Sequence, residues 1–399
     1  MFPLAGVRVL DMTIWQQGPV ATMMLGDLGA EVIKVEEPRS GDPGRYLRSA
    51  TTGTDFPLCV YFEANNRNKK SLAINLRLAP GREALYRLVA GADVFVSNYR
   101  TATLQQMGLD YPSLKALNPR LIYALATGFG LAGPDKDRPA FDIAAQARGG
   151  MLSISGNGAP GPIGAGMADQ YAATCLAYGL LVALYMRERT GEGQFLDCSL
   201  LGCQAFLGNI PLQSYLFTRT IVPKRDRTEV LNPLWNVYRT QDDRWFMLAM
   251  VRSDPYWHVF CETVGLQYLE REPRFKDHAA RESSSPELIA TLDQLFATRS
   301  AREWSDVFAG RDLVWEVVRT YDEVAVDPQL RDNGYIQPFD HPVVGPTEYV
   351  GQPVHWEKGE ATVRASAPEL GQHTEEVLVG LAGYTWEEIE GLRAAGVIS

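Results

Sequence analysis

The chain has 399 residues, of which 46% are hydrophobic and 22% are charged, and its formal net charge is −10. This composition is typical of a folded globular protein of two or three domains, and it excludes disordered, collagen-like and coiled-coil chains. An acidic chain of this kind is a poor general binder of nucleic acid or of anionic membranes, so we expect neither as a partner.

Strand and helix patterns alternate over residues 1–130. Short apolar runs predict strands at 7–12, 31–36, 71–76, 93–98 and 120–126. Helical patterns separate them, beginning at Gly18-Pro19, at Pro80 and near Ser113. Repeated β-α-β units predict a mostly parallel, doubly wound sheet that is covered by helices. In such sheets ligands bind at the carboxyl ends of the strands.

The next stretch, 128–168, is rich in glycine and predicts a long functional loop. A helix is expected at about 169–189, followed by a strand at 194–199 and a helix at 200–217. The helix at 169–189 contains 17 consecutive uncharged residues, 170–186. This run is slightly too short to span a membrane, so we interpret it as a buried core helix.

A second, smaller domain is predicted after a polar linker at 219–227. Two apolar runs, 235–240 and 244–249, flank a short polar turn as in a hairpin, and helical patterns follow at 256–264, 285–298 and 301–309. Residues 374–395 again have an amphipathic helical pattern. We therefore divide the chain into 1–218, a linker with a small α+β domain at 219–328, and a return linker with C-terminal helices at 329–399.

The histidines and cysteines restrict the chemistry. All five histidines lie in the last 142 residues, and no zinc-type spacing, H-E-x-x-H or G-x-S-x-G motif is present. We therefore expect neither a metal site nor a Ser-His-Asp or Cys-His triad. The five cysteines form no C-x-x-C pair, and the N-terminal residues lack the features of a signal peptide. These observations favour free thiols and a cytoplasmic location.

Three segments are candidates for chemistry. Asp169 precedes the uncharged helix, where it is either a helix N-cap or a carboxylate kept ionised by the helix dipole and able to act as a nucleophile. The segment 65–82 holds five basic and no acidic residues, which indicates a solvated basic face or an anion site. Gln16-Gln-Gly-Pro19 follows the first strand, but its single glycine makes a dinucleotide fingerprint weak.

These segments belong to a larger set of motifs through which the chain resembles the family III CoA-transferases, the group of formyl-CoA and carnitine CoA-transferases. The similarity covers nearly the whole length, and 220–330 matches least. The motifs are Leu4-Ala-Gly-Val-Arg-Val-Leu-Asp-Met, Leu25-Gly-Asp-Leu-Gly-Ala-Glu-Val-Ile-Lys-Val-Glu36, Asn68-Lys-Lys-Ser-Leu72, Gly108-Leu-Asp-Tyr, Asn118-Pro-Arg-Leu-Ile-Tyr, Thr127-Gly-Phe-Gly, Thr190-Gly-Glu-Gly-Gln and Gly371-Gln-His-Thr-Glu-Glu-Val-Leu.

The resemblance implies a fold and a reaction. The fold is a Rossmann-like large domain built from both chain ends, with a smaller domain between them, and two such subunits interlock as a homodimer. The reaction moves CoA from an acyl-CoA to a carboxylic acid through acyl-aspartyl anhydride intermediates on the aspartate that is Asp169 here. Asp142 is expected beside it as an orienting group, with Phe141 next to Asp142. CoA is then a substrate and not a resident cofactor.

The resemblance also implies CoA contacts. They fall on Gln16, Gln17, Ile74, Asn75, Arg77, Asn98, Tyr99, Arg100 and Pro139. The chain departs from the family pattern at three of its CoA-contacting positions. Glu37 replaces an arginine, for which Arg39 could substitute, Gln106 replaces a second arginine, and Gln17 replaces an alanine. The glycine-rich lid of some members is not visible around 251–254.

Other functions remain open. An α-methylacyl-CoA racemase of the same fold would have a histidine where this chain has Phe141, which cannot transfer a proton. A non-catalytic subunit of a hetero-oligomer and an NAD oxidoreductase are further alternatives. Within the transferase interpretation, Trp15 either narrows the acyl pocket or is a core residue. A dicarboxylate acceptor would need a cation for its distal carboxylate, for which we consider Arg100 or Arg45.

Overall fold

The computed structural model describes residues 1–47, 56–155, 159–221 and 223–399. Parts of the predicted glycine-rich loop (156–158) and of the predicted linker (222) lie outside the described residues. The chain divides into two compact units: unit 1 comprises Met1–Arg219 and Gln329–Ser399, and unit 2 comprises Thr220–Pro328.

The structure contains a large parallel sheet, a small antiparallel sheet and a separate hairpin. The strands are β1 (Arg8–Met12), β2 (Glu31–Glu36), β3 (Lys69–Ala73), β4 (Val94–Ser97), β5 (Ile122–Thr127), β6 (Phe195–Ser199), β7 (Trp235–Arg239), β8 (Trp245–Ala249), β9 (Trp315–Val317), β10 (Ile336–His341) and β11 (Gly345–Val350). The large sheet has the order β3-β2-β1-β4-β5-β6, with every pair parallel. This is the Rossmann strand order, in which the direction of winding reverses between β1 and β4.

Helices cover this sheet and fill unit 2. They are α1 (Gln17–Asp27), α2 (Val60–Asn66), α3 (Ala79–Ala90), α4 (Thr101–Met107), α5 (Tyr111–Leu117), α6 (Asp142–Arg148), α7 (Met151–Ile154), α8 (Met167–Thr190), α9 (Leu200–Leu207), α10 (Asn209–Thr218), α11 (Asp254–Val264), α12 (His278–Ser283), α13 (Ser285–Phe296), α14 (Ala301–Phe308), α15 (Tyr321–Ala325), α16 (Pro328–Asp332), α17 (Thr374–Ala382) and α18 (Trp386–Ala394).

The sheet of unit 1 is packed on both faces, as alternation along its strands requires. In β1, Val9 belongs to one core, where the sheet packs against α1 and α8. The next residue, Leu10, belongs to the opposite core, which also contains residues of α3, α17 and α18. Because α17 and α18 contribute Leu378 and Ile389 to this second core, the C-terminal segment is an integral part of unit 1.

Among the described residues, α8 alone is long and apolar enough to cross a membrane by length and composition. Its residues Ala173, Leu176 and Leu180 are fully buried against the sheet. That burial is the behaviour of a core helix in a globular protein.

Unit 2 has a core of its own. Strands β7, β8 and β9 form an antiparallel sheet, and Phe246 of β8 stacks on Phe296 of α13 with ring centroids 5.2 Å apart. Trp304 of α14 is fully buried, and its indole N–H donates to the Phe296 carbonyl at 2.9 Å. Aromatic side chains thus connect the sheet to its helices.

Several predicted elements are wrong in their limits. The predicted loop at 128–168 contains two helices, α6 and α7. The predicted helix at 200–217 is two helices, because Gly208 separates them and Pro211 cannot continue the turn before it. The amphipathic tail is likewise broken at Gly383, which has φ +71°. The β10–β11 hairpin was not predicted at all.

At two of its cations, Arg67 and Lys69, the basic segment at 65–82 is neither a solvated face nor an anion site, whereas Arg77 is exposed. Arg67 donates two hydrogen bonds to Asp27 at 3.1 and 2.7 Å, and both side chains are buried. The Lys69 ammonium is fully buried and lies 2.8 Å from the Asp11 carboxylate. These cations stabilise the edge of the sheet, so β3 begins at Lys69, two residues before the predicted strand.

Candidate active site

Asp169 lies in the first turn of α8, at the carboxyl edge of the large sheet. The N-cap interpretation is wrong, because the N-cap is Gly166 and Asp169 is the third helical residue. Gly166 has φ +75°, and a Cβ there would approach the Gln16 carboxamide oxygen to 2.6 Å. Glycine is therefore required both for the backbone turn and for the close approach of Gln16.

The environment of Asp169 opposes its negative charge. Burial, together with the nearby Asp142 carboxylate, raises the pKa of Asp169 to about 7. The direction of this shift is opposite to the one expected from the helix dipole alone, because desolvation and a like charge both favour the protonated form. At neutral pH the group exists in comparable amounts as acid and carboxylate, which is typical of functional sites.

Asp142 lies beside Asp169, as the sequence resemblance implied. It is the first residue of α6 and is 8% exposed. Its Oδ1 accepts a hydrogen bond from the Asp169 backbone N–H at 3.0 Å, and its Oδ2 accepts from Gln146 Nε2 at 2.7 Å. Gln146 also donates to the Gly164 carbonyl at 2.9 Å. One amide side chain therefore connects α6 to the loop that precedes the Asp169 helix.

The loop after β1 forms the opposite side of the site. Gln16 Nε2 donates to the Gly166 carbonyl at 3.1 Å, which places this side chain at the start of α8. Gln17, predicted as a CoA contact, is instead 5% exposed and donates to the Cys198 carbonyl at 3.1 Å. Its carboxamide is therefore directed into the protein. The next residue in the chain is Gly18, where a Cβ would overlap the Thr13 side chain.

Polar side chains from neighbouring strands fix this loop at the point where the sheet reverses its winding. Asn98, just after β4, accepts from the Ile14 N–H at 3.0 Å and donates to the Ile14 carbonyl at 2.7 Å. Asp42 accepts from the Trp15 N–H at 3.1 Å and forms an ion pair with Lys34, 2.8 Å away and fully buried. The loop is therefore held on both sides of the switch point.

Two residues near Asp169 were missed by the sequence analysis. Burial raises the pKa of the Tyr61 phenol, and the charges of Asp169 and Asp42 raise it further, so this phenol lies within the electrostatic reach of the site. Gln146 is the second, and its spacing of four residues from Asp142 on a helix was the only available signal. The residues before Tyr61 form no motif, so the sequence did not indicate a role for this tyrosine.

The remaining predicted CoA contacts fall into two groups. Ile74 is buried, Asn75 and Tyr99 are half-buried, and Asn75 Oδ1 accepts from the Arg77 N–H at 3.1 Å. Six side chains are exposed. Gln106 lies in α4, and the other five lie near the carboxyl ends of strands or on the loops beyond them: Arg39, Arg77, Arg100, Pro139 and Phe141.

Arg45, a candidate for binding a distal carboxylate, is already occupied: it forms two hydrogen bonds to Glu36 at 2.8 and 2.7 Å. No group of three or more His, Cys, Asp or Glu side chains among the described residues could hold a metal ion.

The comparisons with known proteins agree with this geometry. The family model for CoA-transferase family III matches residues 4–374. Succinyl-CoA:glutarate CoA-transferase of Mus musculus is 34% identical over 400 residues, which are 100% of this chain and 91% of the relative. Cinnamoyl-CoA:phenyllactate CoA-transferase of Clostridium sporogenes is 31% identical, covering 97% of this chain and 95% of the relative.

A solved structure shares the fold. A CAIB/BAIF family protein from Brucella suis superposes with a TM-score of 0.83 at 29% identity, covering 95% of this chain and 99% of that one. The parallel sheet, the match along nearly the whole chain and the curated relatives lead to one conclusion. The chain belongs to CoA-transferase family III.

Proposed function

We propose that this protein transfers CoA from an acyl-CoA to a carboxylic acid through covalent intermediates on Asp169. The observation that carries the proposal is the position and state of this carboxyl group. It lies at the start of α8, beside the loop at the switch point of the sheet, and its pKa is raised to about 7. A carboxylate needed only to cap a helix would gain nothing from such a site.

The reaction proceeds by acyl transfers in which the CoA thiolate and the Asp169 carboxylate are used again and the donor carboxylate is released as a product. An Asp169 oxygen attacks the thioester carbonyl, the C–S bond breaks, and CoA thiolate leaves behind a mixed anhydride. The thiolate then attacks the Asp169 carbonyl and releases the donor carboxylate, which gives an aspartyl-CoA thioester. The acceptor carboxylate repeats these steps in reverse order, so that CoA ends on the acceptor and Asp169 is regenerated.

The raised pKa of Asp169 makes the first step less unfavourable. An ordinary aspartate, with a pKa near 3.8, must displace a thiolate whose conjugate acid has a pKa of about 8.5. With a pKa of about 7, Asp169 is a stronger nucleophile and a poorer leaving group from the anhydride. Backbone N–H groups in the first turn of α8 other than that of Asp169, which donates to Asp142, are suitable donors for the developing oxyanion.

Exposed arginines support the binding of the CoA phosphates. Arg39, Arg77 and Arg100 follow β2, β3 and β4 in the chain, and all three side chains are exposed. In the sheet, β2 and β4 lie next to β1, and β3 lies next to β2. The three arginine side chains form no ion pair among the residues that the structure describes, whereas Lys34 and Arg45 are paired with Asp42 and Glu36. Binding energy from this remote part of the substrate can offset the cost of the reactive intermediates.

We also propose that two copies of the chain associate as an interlocked homodimer. None of the ten residues of α10 is buried. Apolar side chains are exposed on it and on α8, including Ile210 (82%), Phe217 (82%) and Tyr178 (70%). An exposed apolar surface of this extent favours the binding of a protein partner. In a symmetric dimer the same residues of a second copy would cover this surface.

The decisive experiment is chemical trapping. Native protein is incubated with a pool of acyl-CoAs and then with hydroxylamine, which converts an anhydride or thioester on a carboxyl group to a hydroxamate, and the modified peptide is identified by mass spectrometry. We expect the hydroxamate on Asp169 and none in Asp169→Asn. Deuterium incorporation at the substrate α-carbon without a hydroxamate would instead identify a racemase. Intact acyl-CoAs with neither signal would indicate a donor missing from the pool or a non-catalytic subunit.

A further inference from the structure

A strained tryptophan stands next to the site. Trp15 has φ +70°, one of four non-glycine residues with positive φ in the described ranges. For a bulky side chain this conformation is costly and persists only when the surroundings enforce it. Asp42 and Asn98 enforce it through their hydrogen bonds to the backbone of Trp15 and Ile14. Glycine would satisfy this backbone at no cost, so the indole itself has to account for the residue.

The indole forms an aromatic pair beside the nucleophile. Its ring meets the ring of Phe141 edge to face, with centroids 5.8 Å apart and an interplanar angle of 85°. Phe141 directly precedes Asp142, whose carboxylate accepts a hydrogen bond from the Asp169 N–H. Trp15 directly precedes Gln16, which donates a hydrogen bond to the Gly166 carbonyl. Each of the two aromatic residues is thus next in sequence to a residue that forms a hydrogen bond with the start of α8.

The pair leaves apolar surface open. The Phe141 side chain is 63% exposed, and Trp15 is only partly buried. Two rings that served the core alone would be covered. An edge-to-face pair with free ring surface is a shaped apolar wall that can hold a third ring or a branched alkyl group.

The cations behind this loop are not available to a second carboxylate. Lys34 is paired with Asp42, Lys69 with Asp11 and Arg45 with Glu36. Arg138, close to Phe141 in sequence, has its guanidinium over the ring of Phe129 at 5.8 Å. Arg100 is exposed, but the proposed function assigns it to the CoA phosphates. A dicarboxylic acyl group placed against the wall would therefore bring its distal charge to apolar rings and to cations already engaged.

We infer that Trp15 and Phe141 form the acyl subsite of the Asp169 centre, and that it selects acyl groups with an apolar, ring-sized substituent over acyl groups with a distal carboxylate. This inference rests on the proposed transferase function and adds its substrate class. The wall contacts the acyl substituent, and it takes no part in the bond changes at Asp169.

The test compares two donors in one acceptor-independent reaction. Hydroxamate formation on Asp169 is measured at limiting 3-phenylpropionyl-CoA and at limiting succinyl-CoA, in the native protein and in the variants Trp15→Gly and Phe141→Ala. Glycine relieves the backbone strain at position 15, and Phe141 is exposed, so both variants are expected to fold, which thermal melting checks. Trp386→Ala, which removes an indole that is 63% exposed at the start of α18, is the matched control.

We expect the native protein to react about 10- to 100-fold faster with the phenylpropionyl donor than with the succinyl donor. Each variant should lose about 10-fold with the phenylpropionyl donor and change less than about threefold with the succinyl donor, while the control is unchanged. Faster reaction with succinyl-CoA, or an equal loss with both donors, overturns the inference and leaves the proposed function standing. Absence of any Asp169 hydroxamate in the native protein overturns both.

Discussion

Replacing Asp169 by asparagine is expected to stabilise the protein at alkaline pH while it removes the nucleophile. The pKa of this group rises from 3.8 to about 7 in the folded protein. Below pH 3.8 both states hold the proton, and the group does not affect folding. Between pH 3.8 and 7 the unfolded chain loses the proton first, so stability falls, and above pH 7 the whole penalty is present.

The size of the effect follows from the same shift. One pKa unit corresponds to about 1.4 kcal/mol, so a shift of about three units destabilises the folded protein by at most about 4 kcal/mol at pH 8. At pH 5 the destabilisation is about 1.5 kcal/mol, since this pH is only a little above the unfolded-state pKa of 3.8 and still well below the folded-state pKa of about 7. Asparagine carries no charge, so the free energy gained by the variant should increase by about 2 to 3 kcal/mol between these pH values.

Urea unfolding of both proteins at pH 5 and pH 8 measures this difference. Asp137→Asn is the control, because Asp137 is an exposed carboxylate in the same unit and its replacement should have the same small effect at both pH values. An Asp169→Asn variant that is stabilised equally at pH 5 and pH 8, or that is less stable at pH 8, would refute the assignment of a buried, destabilised carboxylate.

Three further outcomes are expected. Asp142→Asn removes a negative charge beside Asp169, so the pH at which trapping reaches half its maximal rate should move below about 7, and an unchanged midpoint would contradict the electrostatic argument. Lys69→Met leaves the fully buried Asp11 without its closest cation and should cost about 3 to 5 kcal/mol in urea unfolding. Arg100→Ala should raise the KM for acyl-CoA about tenfold with kcat nearly unchanged, in steady-state kinetics at low salt, and a loss in kcat alone would exclude a role in phosphate binding.

The large sheet was predictable because its strands are buried on both faces. Val9 and Leu10 enter opposite cores, so the strand reads as an unbroken apolar run that sequence analysis detects. The limits of β3 were not predictable, because Lys69 and Lys70 are charged and a pair of lysines indicates a surface position. Its contacts with Asp11, which is 58 residues earlier in the chain, and with Pro19 and Asn66 allow Lys69 to begin a buried strand.

Within the candidate site, only residues that lie in a family motif could be predicted from the sequence. Asp169 and Asp142 came from the resemblance, and the structure brings them together through one hydrogen bond. Asp42 and Tyr61 act only through contacts between segments that are far apart in sequence. Neither residue type nor spacing indicates such contacts, and the same reason explains why the hydrogen bond from the buried Gln17 side chain to the Cys198 carbonyl was not predicted.

The division of unit 1 between two chain segments determines when it can fold during synthesis. The second core needs Leu378 and Ile389, and the backbone N–H of Asn75 donates to the Val397 carbonyl at 2.8 Å. These partners leave the ribosome only after all of unit 2, which at about 5 to 20 residues per second delays them by several seconds or more. Until then the part of this core that α17 and α18 cover is exposed, although α3 is already in place, so a nascent chain that has passed Arg219 is a natural client for chaperones.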